Sequence, residues 1–195
     1  MRVISGSARG RPLRASVDIR PTADLIKGAI FSMLEALAYK RGIEPDEDGN
    51  FAAALAWPRV LDLFAGSGAL GIEALSRGAR HAAFVESNRE AVRFIEANLR
   101  ATSLIEQAQI YLGQAQLVLP RVNGPIDLVF ADPPYQDARL LTQTIDRLAT
   151  CDVLVESGAA VLEQSAADEP PERVGPLPLA STRRHGRTRI SLYAG

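Results

Sequence analysis

The chain has 195 residues, of which 47% are apolar and 23% charged, and its formal net charge is −1. These are the values of a soluble globular protein: one domain of ordinary size, with at most a short appendage. Near-neutrality excludes a whole-molecule basic field, so any nucleic-acid binding has to come from a local patch.

The single cysteine, Cys151, excludes an internal disulfide, fits a reducing compartment and reads as a small buried hydrophobe. The N-terminus lacks the apolar core of a signal peptide. No apolar run nears the roughly 20 residues that span a bilayer. The expectation is a cytoplasmic protein with no membrane partner.

Residues 1–20 carry Arg2, Arg9, Arg11, Arg14 and Arg20 against one acid, Asp18. Val3 and Ile4 fit a short strand or hairpin with turns at Gly6 and Gly10. Arg20-Pro21-Thr22 reads as a helix start with Thr22 as N-cap. Leu25, Ile26, Ala29, Ile30, Met33, Leu34 and Leu37 follow at helical spacing, to about Tyr39. The acidic stretch 41–51 reads as a loop. The division expected is a basic arm over 1–21 and one catalytic domain over 22–195.

From there the chain alternates. Strands are expected at 59–64, 82–86, 108–112, 126–131, 158–163 and 187–193. Helices are expected at 69–78, 89–101, 138–149 and, in a short piece, near 115–119. The Pro- and acid-rich segment 165–178 reads as a connection. Such alternation implies an α/β fold, a mostly parallel sheet with helices on both faces.

Asp62-Leu-Phe-Ala-Gly66-Ser-Gly68-Ala-Leu-Gly71 sits where a strand becomes a helix, and Glu86 ends the next strand. Glycines let the backbone turn tightly and approach a ligand. A carboxylate at Glu86 suits two ribose hydroxyls. The spacing Gly66-x-Gly68-x-x-Gly71 also fits a dinucleotide fingerprint, so the loop alone leaves an NAD-dependent oxidoreductase open. Asp62 favours a cationic amino-acid moiety over a pyrophosphate, and no basic group for phosphate stands nearby in sequence.

Asp132-Pro133-Pro134-Tyr135 directly follows the apolar strand ending at Ala131. In an open α/β sheet ligands bind outside the carboxyl ends of strands, where this motif and the glycine loop both fall. An exocyclic amine on a base is a poor nucleophile, because its lone pair is delocalised into the ring. The Asp132 carboxylate and the Pro133 carbonyl could each accept one N–H and aim that lone pair. Tyr135 would stack on the base. Orientation and fixed dipoles would then lower the barrier without a metal.

The whole chain resembles the bacterial 16S rRNA guanine-N2 methyltransferase family. The resemblance rests on Arg2-Val-Ile-Ser-Gly6, Arg9-Gly10-Arg11, Arg20-Pro21-Thr22, the stretch Leu61–Leu75 and Asp132-Pro-Pro-Tyr135. It implies the Rossmann-like class I methyltransferase fold with a seven-stranded sheet. It implies S-adenosyl-L-methionine as cofactor, held by Asp62, Phe64, Gly66, Ser67, Gly68, Gly71, Glu86 and Gln114. It implies methylation of one guanine, the family's guanine(966), in 16S rRNA of a small-subunit particle by a monomeric enzyme. Arg2, Arg9, Arg11, Arg14 and Arg20 would touch the RNA, and Asp132, Pro133 and Tyr135 would be catalytic.

This chain departs from the family at Gly28, where an acid is usual, and at Ser32, commonly Asn. Gln114-Ala115 replaces Asp-Ala, and His185-Gly186 replaces Tyr-Gly. The alternatives are a DNA adenine-N6 or cytosine-N4 methyltransferase, for which 195 residues leave little room for target recognition, and a non-catalytic RNA-binding assembly protein. A second basic run, Arg183, Arg184, Arg187 and Arg189, lies near the C-terminus.

Overall fold

Strands that are apolar along their whole length need cover on both faces, and the sheet supplies it. A computed structural model describes residues 1–15, 24–133 and 138–195. β1 (Arg59–Leu63), β2 (His81–Glu86), β3 (Ala108–Leu112), β4 (Ile126–Ala131) and β5 (Leu154–Ser165) run parallel. β8 (Thr188–Ala194) lies antiparallel to β5, and β7 (Leu177–His185) antiparallel to β8. The two-residue β6 (Arg173–Val174) closes the edge, giving the order β3-β2-β1-β4-β5-β8-β7-β6.

Among the described residues the sheet has eight strands where seven were expected. The extra one is β6, whose pairing is limited to Arg173 with Pro178 and Val174 with Leu177. It falls within the segment that reads as a connection. β7 also begins in that segment, and the sequence does not announce it. Its residues after Leu177 are exposed as far as Arg184, so it carries little apolar signal.

Two cores flank the sheet. On one face α1 (Asp24–Lys40), α2 (Ala52–Ala56), α3 (Ala69–Ser76) and α4 (Arg89–Ala101) pack Ile30, Phe31, Trp57, Ile72 and Ile95 against Val60, Phe84 and Phe130. On the other, α5 (Ala115–Val118) and α6 (Ala138–Thr150) cover Leu61, Leu63, Val85 and Val129. The odd–even split of β1 between the two clusters is the strand's period of two. Cys151, expected to be buried, is half-buried at the end of α6, against the second cluster. Among the described residues no helix is long and apolar enough to cross a membrane.

The N-terminal segment forms the expected hairpin. Val3 N–H donates to the Arg11 carbonyl (3.0 Å) and Gly10 N–H to the Val3 carbonyl (2.9 Å), with positive φ at Gly6 and Gly10. Its inner side chains Val3, Ala8 and Leu13 are buried in the first core. Gly6 is required by close packing, since a Cβ there would lie 1.7 Å from the Ser76 carbonyl oxygen.

A buried charge cluster fixes this hairpin to the domain. Glu73, fully buried in α3, accepts Ile4 N–H (2.8 Å), Ser5 N–H (3.0 Å), Lys27 Nζ (3.2 Å) and Arg77 Nε (3.0 Å). Lys27, also fully buried, donates in addition to the Arg2 carbonyl. Removing one member of such a pair strands the other without water or counter-charge. Glu73→Gln is therefore expected to destabilise the protein by about 3–5 kcal/mol in urea unfolding. Glu73→Gln combined with Lys27→Met should recover a substantial part of that loss. An additive double mutant would mean that the two charges are not coupled.

Candidate active site

The site grows out of the end of β1. After Leu63 the chain turns sharply: Phe64 has φ +59°, Gly66 +56° and Gly68 +78°. A left-handed phenylalanine costs on the order of 1–3 kcal/mol, so the surrounding bonds must hold it. They include Ala65 N–H to the Val85 carbonyl (3.0 Å) and Gly68 N–H to the Ala65 carbonyl (2.7 Å). Gly68 then caps α3.

Gly71 serves packing. A Cβ there would stand 2.4 Å from the Phe84 ring and 3.2 Å from the Asp62 carboxylate. Its own N–H donates to Asp62 Oδ2 (2.9 Å). The close approach this glycine allows is therefore of helix to sheet.

Two acids line the loop. Asp62 is 2% exposed, and burial pushes its pKa up to about 8. The Gly71 N–H opposes that shift and the Glu86 charge adds to it. Glu86, buried at the end of β2, accepts Gly66 N–H at Oε2 (2.8 Å) and Asn88 N–H at Oε1 (2.7 Å). Each carboxylate oxygen keeps capacity for a further donor. Among the described residues neither acid pairs with Lys or Arg. Two acids with no cation between them fit a positively charged ligand with hydroxyl donors, and disfavour a pyrophosphate. S-Adenosylmethionine, with its ammonium, sulfonium and ribose, fits that donor set.

Gly113 N–H donates to the Glu86 carbonyl (2.9 Å), which sets Gln114 beside the end of β2. Gln114 is exposed, and its Oε1 accepts from Gln116 Nε2 (3.0 Å). Ser67 is buried, and its carbonyl accepts from Asn98 Nδ2 (2.9 Å).

β4 delivers the second motif to the same edge. Ala131 is in register with Leu63 of β1, so Asp132 and Pro133 emerge beside Phe64 and the glycine loop. Asp132 is half-buried and Pro133 buried. β1 lies between β2 and β4, the point where the strand order reverses and where open α/β sheets bind their ligands. Pro134, Tyr135, Arg20, Pro21 and Thr22 lie outside the described residues.

The arginines Arg2, Arg9, Arg11 and Arg14 are all exposed on the hairpin's outer side. Arg2 Nε stands 3.9 Å from Asp24, a loose pair. The Arg14 backbone is held from both ends by Asn98: Arg14 N–H donates to Oδ1 (2.8 Å) and Nδ2 donates to the Arg14 carbonyl (2.8 Å). Asn98 thus joins the N-terminal segment to the Ser67 carbonyl of the glycine loop.

Glu73, Lys27 and Asn98 organise the site's surroundings, and sequence reasoning misses them. Two left a faint signal. Glu73 is a lone acid in the run Ala69-Leu-Gly-Ile-Glu-Ala-Leu75, and Asn98 falls beside the apolar stripe of Ala91, Ile95 and Leu99.

Known proteins resemble the chain in sequence and in fold. The family model described as Conserved hypothetical protein 95 matches residues 1–194. A Bacillus subtilis protein named Putative rRNA methyltransferase YlbH is 39% identical over 201 residues, covering 99% of this chain and 98% of its own. Ribosomal RNA small subunit methyltransferase D of Escherichia coli is 35% identical over 150 residues, covering 76% of this chain and 66% of its own. Among solved structures, the putative methyltransferase yhhF from Escherichia coli superposes with a TM-score of 0.79 at 29% identity, over 100% of this chain and 97% of that one. TrmN from Thermus thermophilus, at 18% identity and a TM-score of 0.63, covers 87% of this chain and 48% of that one, and shares the fold. The chain belongs to the Conserved hypothetical protein 95 family and has the class I methyltransferase fold.

Proposed function

We propose that this protein is an S-adenosylmethionine-dependent methyltransferase of ribosomal RNA, acting on the exocyclic N2 of one guanine, guanine(966), of 16S rRNA. The observation that carries the reading is the meeting of Asp132-Pro133 with the glycine loop at the reversal point of the sheet. The names of the Bacillus and Escherichia relatives support rRNA as the substrate class. The choice of guanine N2 over adenine N6 rests on the resemblance of the Arg-rich opening and Arg20-Pro21-Thr22 to the guanine-N2 family.

Bound S-adenosylmethionine would supply an activated methyl group on a positive sulfur. Asp62 would hold the cofactor's ammonium group, and Glu86 its ribose hydroxyls. Gly66, Ser67 and Gly68 would offer backbone groups, Phe64 and Gly71 would keep the loop in place, and Gln114 would accept from the adenine amino group. The Asp132 carboxylate and Pro133 carbonyl would take the two amine hydrogens, holding the nitrogen lone pair on line with the methyl. Tyr135 would stack on the guanine. A stacked or paired guanine would first have to be extruded. Arg2, Arg9, Arg11, Arg14 and Arg20 would grip the RNA backbone, within a small-subunit particle in the cytoplasm, with the enzyme acting as a monomer.

The direct test is transfer of a labelled methyl group to 16S rRNA, small subunits or DNA, followed by mass spectrometry of the product nucleosides. N2-methylguanine in 16S rRNA is expected. Label confined to DNA, or recovered as N6-methyladenine, would defeat the reading. Asp132→Ala should lower turnover by roughly 10²–10³ while S-adenosylhomocysteine binding persists, as when one preorganised acceptor is lost. Tyr135→Phe should be mild and Tyr135→Ala should weaken base capture by about 1–3 kcal/mol.

Asp62 gives a separate check through protons. Because its pKa is raised to about 8, the carboxyl is mostly protonated at pH 7 in the free protein. An ammonium group placed against it favours the ionised form, so its pKa falls on binding and a proton is released. Calorimetry with S-adenosylhomocysteine in two buffers of different ionisation heat should record that release at pH 7. Asp62→Asn should abolish it, and above about pH 9 it should vanish in the unsubstituted protein. Equal proton release in Asp62→Asn would remove Asp62 from the ammonium site.

A further inference from the structure

We propose that the tip of the β7–β8 hairpin is a second RNA-backbone contact, standing on the same edge and face of the sheet as Asp132 and gripping phosphates through Arg183 and Arg187. The inference rests on the proposed rRNA reading and adds a surface to it.

Strand register places the tip. β5 runs parallel to β4, with Leu162 opposite Ala131. β8 is antiparallel to β5, and β7 to β8, so their turn at Gly186-Arg187 lies at the carboxyl end of the parallel strands. One residue beyond Ala131 and Leu162 come Asp132 and Glu163. Glu163 is paired with Ile190, and Ile190 with Arg183. Arg183 therefore stands in the cross-strand row that Asp132 enters as it leaves β4. Three interstrand steps of about 4.8 Å separate them, about 14 Å in all.

The face is fixed too. Cross-strand partners point to one side of a sheet, and Ile190 is buried in the core that contains Phe130, two residues before Asp132. Arg183 stands on that side, at the rim. A strand of RNA presenting one base to Asp132 would have its neighbouring nucleotides within reach of the tip.

The charge is of one sign at the tip itself. Residues 181–189, Ser-Thr-Arg-Arg-His-Gly-Arg-Thr-Arg, contain four arginines and no acid. Arg189 is spent on Glu169 (3.1 Å) and on the Ala166 carbonyl (3.1 Å), and Arg184 Nε on the Gly186 carbonyl of its own turn (3.2 Å). Arg183 and Arg187 are exposed and, among the described residues, in no ion pair. Along the chain the nearest exposed acid is Glu172, eleven residues before Arg183, and the exposed Asp168 and Glu169 follow the Ala166 N–H that bonds the Arg187 carbonyl (2.9 Å). Arg pairs its planar fork with phosphate, and a polyanion is the partner such a tip fits.

The test is salt-dependent binding of a 16S rRNA hairpin fragment, with the double variant Arg183→Ala, Arg187→Ala. Binding should weaken, and the log–log salt slope should fall by about 0.7 for each single-strand phosphate that the variant no longer grips. S-Adenosylhomocysteine affinity and melting temperature should stay unchanged. The variant Arg183→Lys, Arg187→Lys should restore most of the slope, because a point charge suffices to release counterions. An unchanged slope and affinity in the alanine variant would overturn the proposal. So would an equal loss of slope on duplex DNA of matched length, which would make the tip a general polyanion surface. If the unsubstituted protein methylates 16S rRNA while the alanine variant binds it as well, this inference alone fails. If the unsubstituted protein neither binds nor methylates rRNA, the functional reading falls first.

Discussion

A single buried carboxylate sets much of this architecture. Glu73 has no access to water, so its charge is tolerable only if donors converge on it. Four do: two backbone N–H groups from the N-terminal hairpin, one lysine from α1 and one arginine just past the end of its own helix. Those donors come from positions as much as 69 residues away in sequence. The helix on which they converge, α3, is the one that starts at Gly68. The glycine loop is thus anchored through its helix by segments other than the strands that carry the loop's own acids.

The hairpin consequently has two distinct sides. Its inner side chains Val3, Ala8 and Leu13 fill the first core, and Ser7 and Ala8 bond to the carbonyl and hydroxyl of Ser76. Its outer side carries Arg2, Arg9 and Arg11 into solvent. Deleting the segment would open the core as well as remove charge, so the two roles can be separated only by substituting exposed arginines. Asn98 extends the same logic, because one amide holds both Arg14 and Ser67. One buried side chain thus ties the arm to the glycine loop.

What was legible in the sequence follows from how each feature is encoded. β1 carries an acid one residue before its end and β4 leads into one, and a buried strand with a carboxylate at its carboxyl end has few other readings. α4 is announced by its apolar stripe; its cap is seen only in the structure, where the Asn88 side chain accepts Glu90 N–H (2.8 Å) and Ala91 N–H (3.3 Å). α2, Ala52–Ala56, is four alanines and one leucine, with no period to detect. β7 is exposed for most of its length and has Pro178 near its start, so alternation is absent and the ladder alone defines it. At the site, Asp62 and Glu86 were readable because each lies at or near the end of a strand. Glu73 and Asn98 were not, because their meaning lies largely in partners distant along the chain, Ser5 for Glu73 and Arg14 for Asn98. The glycine spacing suggests a ligand's approach at Gly71, yet the structure gives that residue a packing reason in the Phe84 ring.

The electrostatic arrangement accommodates, within a net charge of −1, the two proposed ligands of opposite sign. In that proposal the cationic cofactor would use the Asp62–Glu86 pair, and the polyanionic substrate would use arginines. Placed side by side, the arginines would neutralise the acids and cancel the attraction for the cofactor. For the arginines of the β7–β8 tip the sheet keeps the two apart. β1, which carries Asp62, and β7, which carries Arg183, are separated by β4, β5 and β8. Four interstrand steps make that about 19 Å. The screening length at physiological salt is about 8 Å, so the two fields hardly meet through solvent. Asp132 stands between them, one strand from Asp62 and three from the basic tip, where the methyl donor and the base to be methylated would have to come together.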